Sequence, residues 1–349
     1  MRSSDKTVGN IAWRSPSNIA LVKYWGKRPV QIPANPSLSM TLSEAYTEMN
    51  FSYRRADKGE KKLDFLFEGL KNEKFALKIA TFLDSLSGNH PEISNFHIQI
   101  SSFNTFPHST GIASSASSMS ALGLCLAEFL AIVEDREFSL REASFLSRLA
   151  SGSACRSVYG GYTVWGESPY VDGSHDEYAV PLPFEVHPVF RDIKDNILIV
   201  SSVEKKVSSR AGHSLMKGHP YAEARFNLAR QNIGILVSAL SSGDIETFIR
   251  ITESEALNLH ALMMSSLSSY LLIEPNTVNI VNEIRRFREE TTIPVCFTLD
   301  AGPNVHLLYP AEYEENVKEW IGQELVKYCE NGRWIDDGTG TGPIRLLGN

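Results

Sequence analysis

The sequence is poor in residues that would close a fold covalently or hold a metal ion. Its 349 residues contain only four cysteines, at positions 125, 155, 296 and 329, with no CxxC pair. This pattern argues against a disulfide scaffold and predicts four reduced thiols in a cytoplasmic protein. The nine histidines form no HExxH motif and no pair four residues apart, so a zinc site is not expected.

The chain also lacks an apolar export signal, a long apolar run and an excess of positive charge. Residues 1–10 are polar, and no run of about 18 apolar residues occurs, so we expect neither export nor a membrane span. Lys and Arg number 34 against 41 Asp and Glu, a formal charge of −7. Because surfaces that bind nucleic acid are usually basic, neither nucleic acid nor a membrane is the expected partner.

The length and the pattern of the chain predict two α+β domains. A chain of 349 residues suits two domains of ordinary size. Prolines cluster between positions 181 and 188, and a new buried strand is predicted at 196–201. We therefore place the boundary near residue 188, which gives domains 1–188 and 189–349.

Alternation and helical spacing predict the main elements in both halves. The predicted strands are 46–53, 96–100, 162–165, 196–201, 295–299 and 305–309. The predicted helices are 73–87, 119–133, 221–240, 244–264, 276–289 and 311–328. A further helix is predicted after the capping box of Ser139 and Glu142, and it ends near Ala150.

One segment that can carry chemistry is FPHSTGIASSA, residues 106–116, between a strand and an apolar helix. Small and hydroxyl residues let the backbone approach a ligand, and a helix that begins there directs its amide groups at an anion. An ordinary serine-capped helix start explains the same residues equally well. The segment matches neither GxxxxGK[ST] nor GxGxxG.

A second segment, SPSNIALVKYWGKRPVQIPANPSLSMTL at residues 15–42, places Lys23, Lys27 and Arg28 within six positions after an apolar run. Three cations beside two aromatic residues indicate a strongly anionic ligand. The alternative is a solvated turn whose lysines extend to water along their apolar stems.

Arg156 and Asp300 lie in two further segments of this kind. Small and hydroxyl residues surround Arg156 in SGSACRSVYGG, residues 151–161, which suits a guanidinium held at a carboxylate or phosphate. The alternative is an isolated arginine at the surface. Asp300 ends an apolar strand in VCFTLDAGPNVHLLYP, residues 295–310. Partial dehydration would raise its pKa unless cations lie nearby, although it could also be a turn residue that bonds its own backbone. VSSRAG, residues 207–212, is a weaker candidate.

The segment GHSLM, residues 212–216, nearly matches the GxSxG turn of serine hydrolases. Met216 occupies the position of the last glycine, which the sharp turn should not accommodate. We therefore do not predict a hydrolase.

Taken in order, these segments resemble the diphosphomevalonate decarboxylase family of the GHMP-kinase superfamily. The matching blocks are NIALVKYWGKR, PSLSMTL, GIASSAS, SGSACRSVYGG, VSSR and LDAGPNVHLLYP, which span residues 15–310. KYWGK, SGSACRS and DAGPN are typical of the decarboxylases rather than of the whole superfamily.

The resemblance implies a fold and a reaction. The implied fold has an N-terminal domain like ribosomal protein S5 and a C-terminal ferredoxin-like α/β sandwich, with the active site in the cleft between them and homodimers common. The implied reaction uses ATP and Mg²⁺ to phosphorylate the 3-hydroxyl of mevalonate 5-diphosphate, after which phosphate and carbon dioxide leave and isopentenyl diphosphate remains.

The resemblance also implies roles for individual residues. Asp300 would accept or orient the hydroxyl proton, Lys23 would keep Asp300 ionised and bind the transferred phosphoryl group, and Arg156 would grip the substrate carboxylate. The other residues implied to bind substrate are Asn18, Tyr24, Lys27, Ser151, Ser153, Ser209 and Arg210. Those implied to bind ATP are Asn104, Gly111, Ala113, Ser114 and Ser115, with Ser115 also near Mg²⁺.

Three alternatives stay open at the level of sequence. The chain could decarboxylate the 5-monophosphate instead, or phosphorylate the 3-hydroxyl without decarboxylation. A catalytically silent ligand sensor on the same fold is the third. The residues alone do not fix the length of the anion that Lys27, Ser153 and Arg210 would bind.

Overall fold

A computed structural model describes residues 6–106, 114–203 and 209–347, without the side chains of Ser114, Ser209 and Arg210. These residues contain fourteen β-strands and eight α-helices. The strands are β1 (Val8–Val22), β2 (Lys27–Arg28), β3 (Ile32–Pro33), β4 (Ser37–Arg55), β5 (Leu63–Phe67), β6 (Leu70–Lys71), β7 (Phe96–Asn104), β8 (Tyr162–Trp165), β9 (Ala179–Pro181), β10 (Ile193–Leu198), β11 (Cys296–Thr298), β12 (Val305–Pro310), β13 (Trp334–Gly338) and β14 (Ile344–Leu346). The helices are α1 (Glu73–Leu86), α2 (Ser114–Val133), α3 (Leu140–Ala150), α4 (Ser209–Ser214), α5 (Ala222–Ser242), α6 (Ile245–Met264), α7 (Pro275–Thr291) and α8 (Glu314–Trp320).

Eight strands form the first sheet, in the order β14-β1-β4-β7-β5-β6, with β8 paired to β4 and β9 to β8. The two long strands β1 and β4 run antiparallel, and their register shifts between Pro16 and Asn18. Such an irregularity re-aims the side chains that follow it. Apolar residues of α1, α2 and α3 pack on this sheet, as where Phe129 of α2 contacts Phe51 of β4.

Four strands form the second sheet, in the order β11-β12-β10-β13. Ile280 and Ile284 of α7, with Trp320 and neighbouring residues of the last helical segment, pack on Phe297 and Leu307 of this sheet. Both halves therefore combine strands and helices in an α+β arrangement, as predicted.

One apolar cluster joins the two halves of the chain. It includes Ile19 and Leu21 of β1 together with Ile197 of β10 and Phe248 of α6. The last strand, β14, returns to the first sheet and pairs with β1. The division into 1–188 and 189–349 stays a prediction.

Most predicted elements occur with shifts of a few residues at their ends. The exceptions are the strand predicted at 46–53, which is part of the longer β4, and the last helix. The predicted helix 311–328 is a 3₁₀ turn at 311–313, then α8, then a π-turn over Ile321–Leu325 and a final 3₁₀ turn at 326–328. Gly322 lies within the π-turn, and glycine has a low helix propensity.

Among the described residues one helical stretch, 115–133, is long and apolar enough to cross a membrane. Most of it is buried inside the fold, which is the position of a core helix. All four cysteines are buried and free, as the sequence predicted.

Candidate active site

Lys23 and Asp300 form the centre of the site, where the two sheets meet. Lys23 follows β1 directly, and Asp300 lies two residues after β11. Lys23 Nζ donates a hydrogen bond to Asp300 Oδ1 at 2.9 Å, across 277 positions of sequence. The Asp300 side chain keeps 26% of its surface exposed, whereas that of Lys23 keeps 2%. The carboxylate therefore faces solvent, and the ammonium group lies behind it.

The surroundings of Lys23 shift its pKa in two opposite directions. Burial lowers the pKa of Lys23 below its usual value, and the positive charge of Arg156 adds to this. The carboxylates of Asp300 and Glu255 oppose the shift because they stabilise the ammonium form.

Arg156 lies in the 3₁₀ turn Gly152–Val158 and is 3% exposed. Its Nε donates to Asn18 Oδ1 at 3.2 Å, and its Nη1 donates to Ser37 Oγ at 2.6 Å. Burial lowers the pKa of Arg156, and the charge of Asp300 opposes this shift. A guanidinium is not deprotonated in proteins, so it stays positive. The structure thus brings together Lys23, Asp300 and Arg156.

Asn18 links β1 to the turn that carries Arg156. While its Oδ1 accepts from Arg156, its Nδ2 donates to Ser157 Oγ at 2.7 Å. A longer contact of 3.4 Å joins the same Nδ2 to the carbonyl oxygen of Ser153. These bonds fix the orientation of the guanidinium. Ser151 and Ser153 are half-buried in the same part of the chain.

Tyr24 follows Lys23 in the chain, and its ring packs against the rings of Trp165 and His213. Its ring centroid is 4.6 Å from that of Trp165 and 4.2 Å from that of His213. The Tyr24 hydroxyl is buried and has no hydrogen-bond partner among the described residues. Burial raises the pKa of Tyr24, so the group stays a phenol that can donate a hydrogen bond. An unpaired buried hydroxyl requires an explanation, and a bound ligand supplies one.

Lys27 lies on the hairpin of β2 and β3 beside this site. It is half-buried, and its Nζ donates to Gln31 Oε1 at 3.1 Å. Ser209 and Arg210 begin α4, but their side chains lie outside the described residues. The structure therefore gives the position of their backbone only.

His213, which the sequence offered only as part of a near-match to a hydrolase motif, lies within the site. Its ring lies between those of Tyr24 and Trp25, and its Nδ1 accepts a hydrogen bond from the Gly26 amide at 3.0 Å. Burial, with the charges of Lys27 and Arg156, lowers its pKa to about 3. The imidazole is therefore neutral at physiological pH. His213 lies three residues after Arg210, a spacing that places two side chains on the same face of a helix. This spacing was the signal in the sequence that could have identified His213 as a residue of the site.

Two of the residues predicted to bind ATP are described: Asn104 ends β7, and Ser115 lies in the first turn of α2. Asn104 Oδ1 accepts from Thr47 Oγ1 at 2.8 Å, while its buried Nδ2 has no partner among the described residues. Ser115 is exposed in the first turn of α2. Gly111 and Ala113 lie outside the described residues, as does the side chain of Ser114.

No group of three or more His, Cys, Asp or Glu side chains that could hold a metal ion occurs within the described ranges. A protein cage for a cation is therefore absent from that part of the chain. Mg²⁺ commonly binds through substrate phosphates and one or two protein groups instead, and the exposed hydroxyl of Ser115 is available for this.

Two family models match the chain. Residues 15–177 match the diphosphomevalonate decarboxylase-like N-terminal domain, and residues 196–336 match the mevalonate 5-diphosphate decarboxylase C-terminal domain.

Curated relatives and solved structures are similar to almost the whole chain. Diphosphomevalonate decarboxylase of Ganoderma lucidum is 30% identical over 96% of this chain and 84% of its own length. That of Saccharomyces cerevisiae is 30% identical over 90% of this chain and 81% of its own. Mevalonate diphosphate decarboxylase from Staphylococcus aureus has a TM-score of 0.84 at 28% identity, covering 98% of this chain and 99% of that one. A structure of MDDEF in complex with MVAPP, AMPPCP and magnesium has a TM-score of 0.83 at 26% identity, with 97% and 99% covered.

Proposed function

This chain belongs to the diphosphomevalonate decarboxylase family, and we propose that it converts mevalonate 5-diphosphate to isopentenyl diphosphate with ATP. In this reaction the 3-hydroxyl oxygen attacks the γ-phosphorus of ATP, and the bond from that phosphorus to ADP breaks. The new phosphate then leaves with the electrons of its C–O bond. The electrons of the bond between C1 and C2 form the C2–C3 double bond, and C1 departs as carbon dioxide.

The chemistry explains why such a site needs charges of both signs. Hydroxide leaves a tertiary carbon poorly, whereas phosphate leaves well. A diphosphate, a triphosphate and a carboxylate must all be neutralised within one cleft, and one carboxylate of the protein must meet the hydroxyl. Positioning and electrostatic stabilisation supply most of the acceleration in phosphoryl transfer.

The observation that carries the proposal is the contact of Lys23 with Asp300 beside Arg156. The Asp300 carboxylate is partly exposed and is held by a buried cation at 2.9 Å, so it can stay ionised and accept the proton of the 3-hydroxyl. The ammonium of Lys23 then stabilises negative charge on the transferred phosphoryl group. Both roles need the two groups at one edge of the cleft.

The remaining residues divide according to the ends of the substrate. Arg156, held by Asn18, presents a planar guanidinium that binds a carboxylate through two parallel hydrogen bonds. The diphosphate end would be bound by the residues that the resemblance implies, which are Tyr24, Lys27, Ser151, Ser153, Ser209 and Arg210. The unpaired hydroxyl of Tyr24 supports its place in this set.

ATP and magnesium belong to the proposal as well. The related structure that contains AMPPCP and magnesium supports both. Asn104, with its unpaired Nδ2, and Ser115 would contact the nucleotide, together with Gly111, Ala113 and Ser114. Magnesium, bound mainly by the phosphates, would neutralise part of their charge.

A cytoplasmic location and a homodimer stay predictions. The first rests on the four free cysteines, which suit a reducing compartment, and the second rests on the family alone.

The decisive experiment supplies purified protein with ATP, Mg²⁺ and mevalonate 5-diphosphate and follows ADP and carbon dioxide together. We expect the two products in equal amounts. ADP without carbon dioxide would indicate a 3-kinase, and binding without either product would indicate a ligand sensor. Comparing kcat/KM for the 5-diphosphate and the 5-monophosphate tests the length of the anion, and we expect the diphosphate to be preferred.

A further inference from the structure

A buried ion pair lies directly behind Lys23. Arg225 of α5 and Glu255 of α6 are joined by two hydrogen bonds, from Nη1 to Oε1 at 2.7 Å and from Nη2 to Oε2 at 2.6 Å. The two side chains are 2% and 0% exposed. Asn232 of α5 donates a further hydrogen bond to Glu255 Oε1 at 2.6 Å.

This pair holds the backbone of Lys23 on both sides. The Lys23 amide donates to Glu255 Oε2 at 2.8 Å, and Arg225 Nη2 donates to the Lys23 carbonyl oxygen at 3.0 Å. Asn35 Nδ2 donates to the same carbonyl at 3.0 Å. The residue that carries the ammonium group is thereby tied to α5 and α6.

The energetics of burial argue that the pair serves more than stability. Removing two charges from water costs about as much as their attraction returns, and apolar residues of similar volume are often equally stabilising. Here Arg225 Nε even lacks a hydrogen-bond partner among the described residues. The hydrogen bonds that an apolar pair could not replace are those to Lys23.

We propose that Glu255 and Arg225 are positioning residues that fix the backbone of Lys23, and through it the ammonium group, against Asp300. The proposal rests on the proposed function, because it takes Lys23 to act on the transferred phosphoryl group. Among the described residues, hydrogen bonds join this pair to the backbone of Lys23 and none joins it to Asp300, so we take both residues to act through Lys23.

The pair also acts on the charge of Lys23. Four charged groups face Lys23 from the elements packed around it: Asp300 after β11, Arg156 in the 3₁₀ turn, Glu255 on α6 and Arg225 on α5. Removing the Glu255 carboxylate removes one of the two groups that raise the pKa of Lys23. It also leaves the cation of Arg225 uncompensated, so both changes favour loss of the Lys23 proton.

The test compares two substitutions on the same helix. Glu255→Gln removes the carboxylate that contacts Lys23. The control, Glu253→Gln, removes one that is also buried and paired, with Arg288 at 2.6 Å, but that makes no contact with Lys23. We expect Glu255→Gln to lower kcat for carbon dioxide release by about 10- to 100-fold, with little change in the KM for ATP. The decrease of kcat at alkaline pH should begin at a lower pH in Glu255→Gln than in the wild type. Glu253→Gln should change neither kcat nor the pH of this decrease.

A second variant keeps the test decisive if Glu255→Gln folds poorly. Arg225→Lys retains a buried positive charge, but its side chain is shorter and lacks the second nitrogen that bonds Glu255, so it should hold Glu255 and the Lys23 carbonyl oxygen less firmly. We expect a lower kcat in Arg225→Lys, with the decrease of kcat at alkaline pH beginning at the same pH as in the wild type. An unchanged kcat in this variant, or equal effects of the two glutamine substitutions, would overturn the proposal. A wild-type protein that releases no carbon dioxide would instead contradict the proposed function.

Discussion

Lys23 and Asp300 differ in their access to solvent although they touch. The ammonium is enclosed, and the carboxylate is about one quarter exposed. A substrate hydroxyl can therefore reach Asp300 while Lys23 stays shielded from water, which strengthens the interaction between their charges. This difference in exposure suits the proposed roles, in which Asp300 accepts a proton and the Lys23 ammonium stabilises its negative charge.

Asp300→Asn tests this division of roles. An amide keeps the shape of the carboxylate but accepts a proton poorly, so we expect turnover to fall by about 10²- to 10⁴-fold. Binding of a non-hydrolysable ATP analogue should stay nearly unchanged, because Asp300 is proposed to meet the 3-hydroxyl. Carbon dioxide release and analogue titration measure the two effects. Asp192→Asn, at an exposed carboxylate outside the site, is the control, and wild-type turnover in Asp300→Asn would remove Asp300 from the mechanism.

His213 makes stability depend on pH. Its pKa is lowered to about 3 in the folded protein, against about 6.5 for an exposed histidine. Between these values the unfolded chain binds the proton and the folded one does not, so acidification from pH 6.5 towards 3 favours unfolding. Protonated Nδ1 would also face the Gly26 amide, which now donates to it.

We therefore expect the melting temperature of His213→Gln to fall less than that of the wild type when the pH is lowered from 7 to 5. Thermal unfolding at both pH values measures the difference. His187→Gln, which replaces an exposed histidine, should keep the wild-type pH dependence. The same pH dependence in all three proteins would contradict the assignment of His213 as a buried neutral base.

The sequence predicted the residues of the site better than it predicted their supports. Lys23, Arg156 and Asp300 each interrupt an apolar or small-residue segment, and that contrast made them visible. Glu255 gave no such signal, because a glutamate on an amphipathic helix usually lies on the solvated face. Its contact with Lys23 spans 232 positions, and no local pattern reports a contact at that distance.

Among the elements, the hairpin of β2 and β3 carries local strain. Val30 and Gln31 in its turn have φ angles of 57° and 61°, a region that β-branched residues rarely adopt. Arg148 donates a hydrogen bond to the Val30 carbonyl oxygen, which helps hold the turn that follows Lys27. The side chain of Val30 is 70% exposed, so little packing offsets the strain.

Val30→Asn should therefore stabilise the protein by about 0.5–1.5 kcal/mol, because asparagine tolerates a positive φ better than valine. Chemical denaturation measures the change. Val203→Asn, at another exposed valine whose φ is not positive, is the control and should change stability little. A destabilised Val30→Asn would mean that the Val30 side chain has contacts which compensate for its backbone.

The elements themselves were predictable to different degrees. Helical spacing located α1, α5, α6 and α7 to within a few residues, because each has one apolar face and its pattern is local. The first strand, β1, was recognised only as an apolar run before Lys23 and not as a strand, although it spans fifteen residues. Strands β13 and β14 were not predicted, since their pairing partners β10 and β1 lie far away in sequence.

At the scale of the whole molecule, Asp337 joins the two sheets. It lies on β13, and its Oδ1 accepts hydrogen bonds from the amides of Ser43 and Glu44 at 2.8 and 2.9 Å. Its Oδ2 accepts from the Ala45 amide at 2.7 Å. These three residues belong to β4 of the first sheet. The carboxylate therefore satisfies backbone groups of one half of the chain from the other half, beside the apolar cluster that the halves share.

Asp337→Ala should lower the free energy of unfolding by about 2–4 kcal/mol, because the buried amide of Ala45 and the partly buried amides of Ser43 and Glu44 lose their acceptor and each unsatisfied buried group costs about 1–3 kcal/mol. Equilibrium denaturation measures the loss. Asp336→Ala is the matched control, since its half-exposed carboxylate pairs with Lys318 and accepts one hydrogen bond from Asn196, both within the same half, and it should contribute about 1–2 kcal/mol. Because Lys23 and Asp300 also come from different halves, Asp337→Ala should weaken substrate binding more than Asp336→Ala does. Equal losses of stability in the two variants would mean that Asp337 does not join the halves.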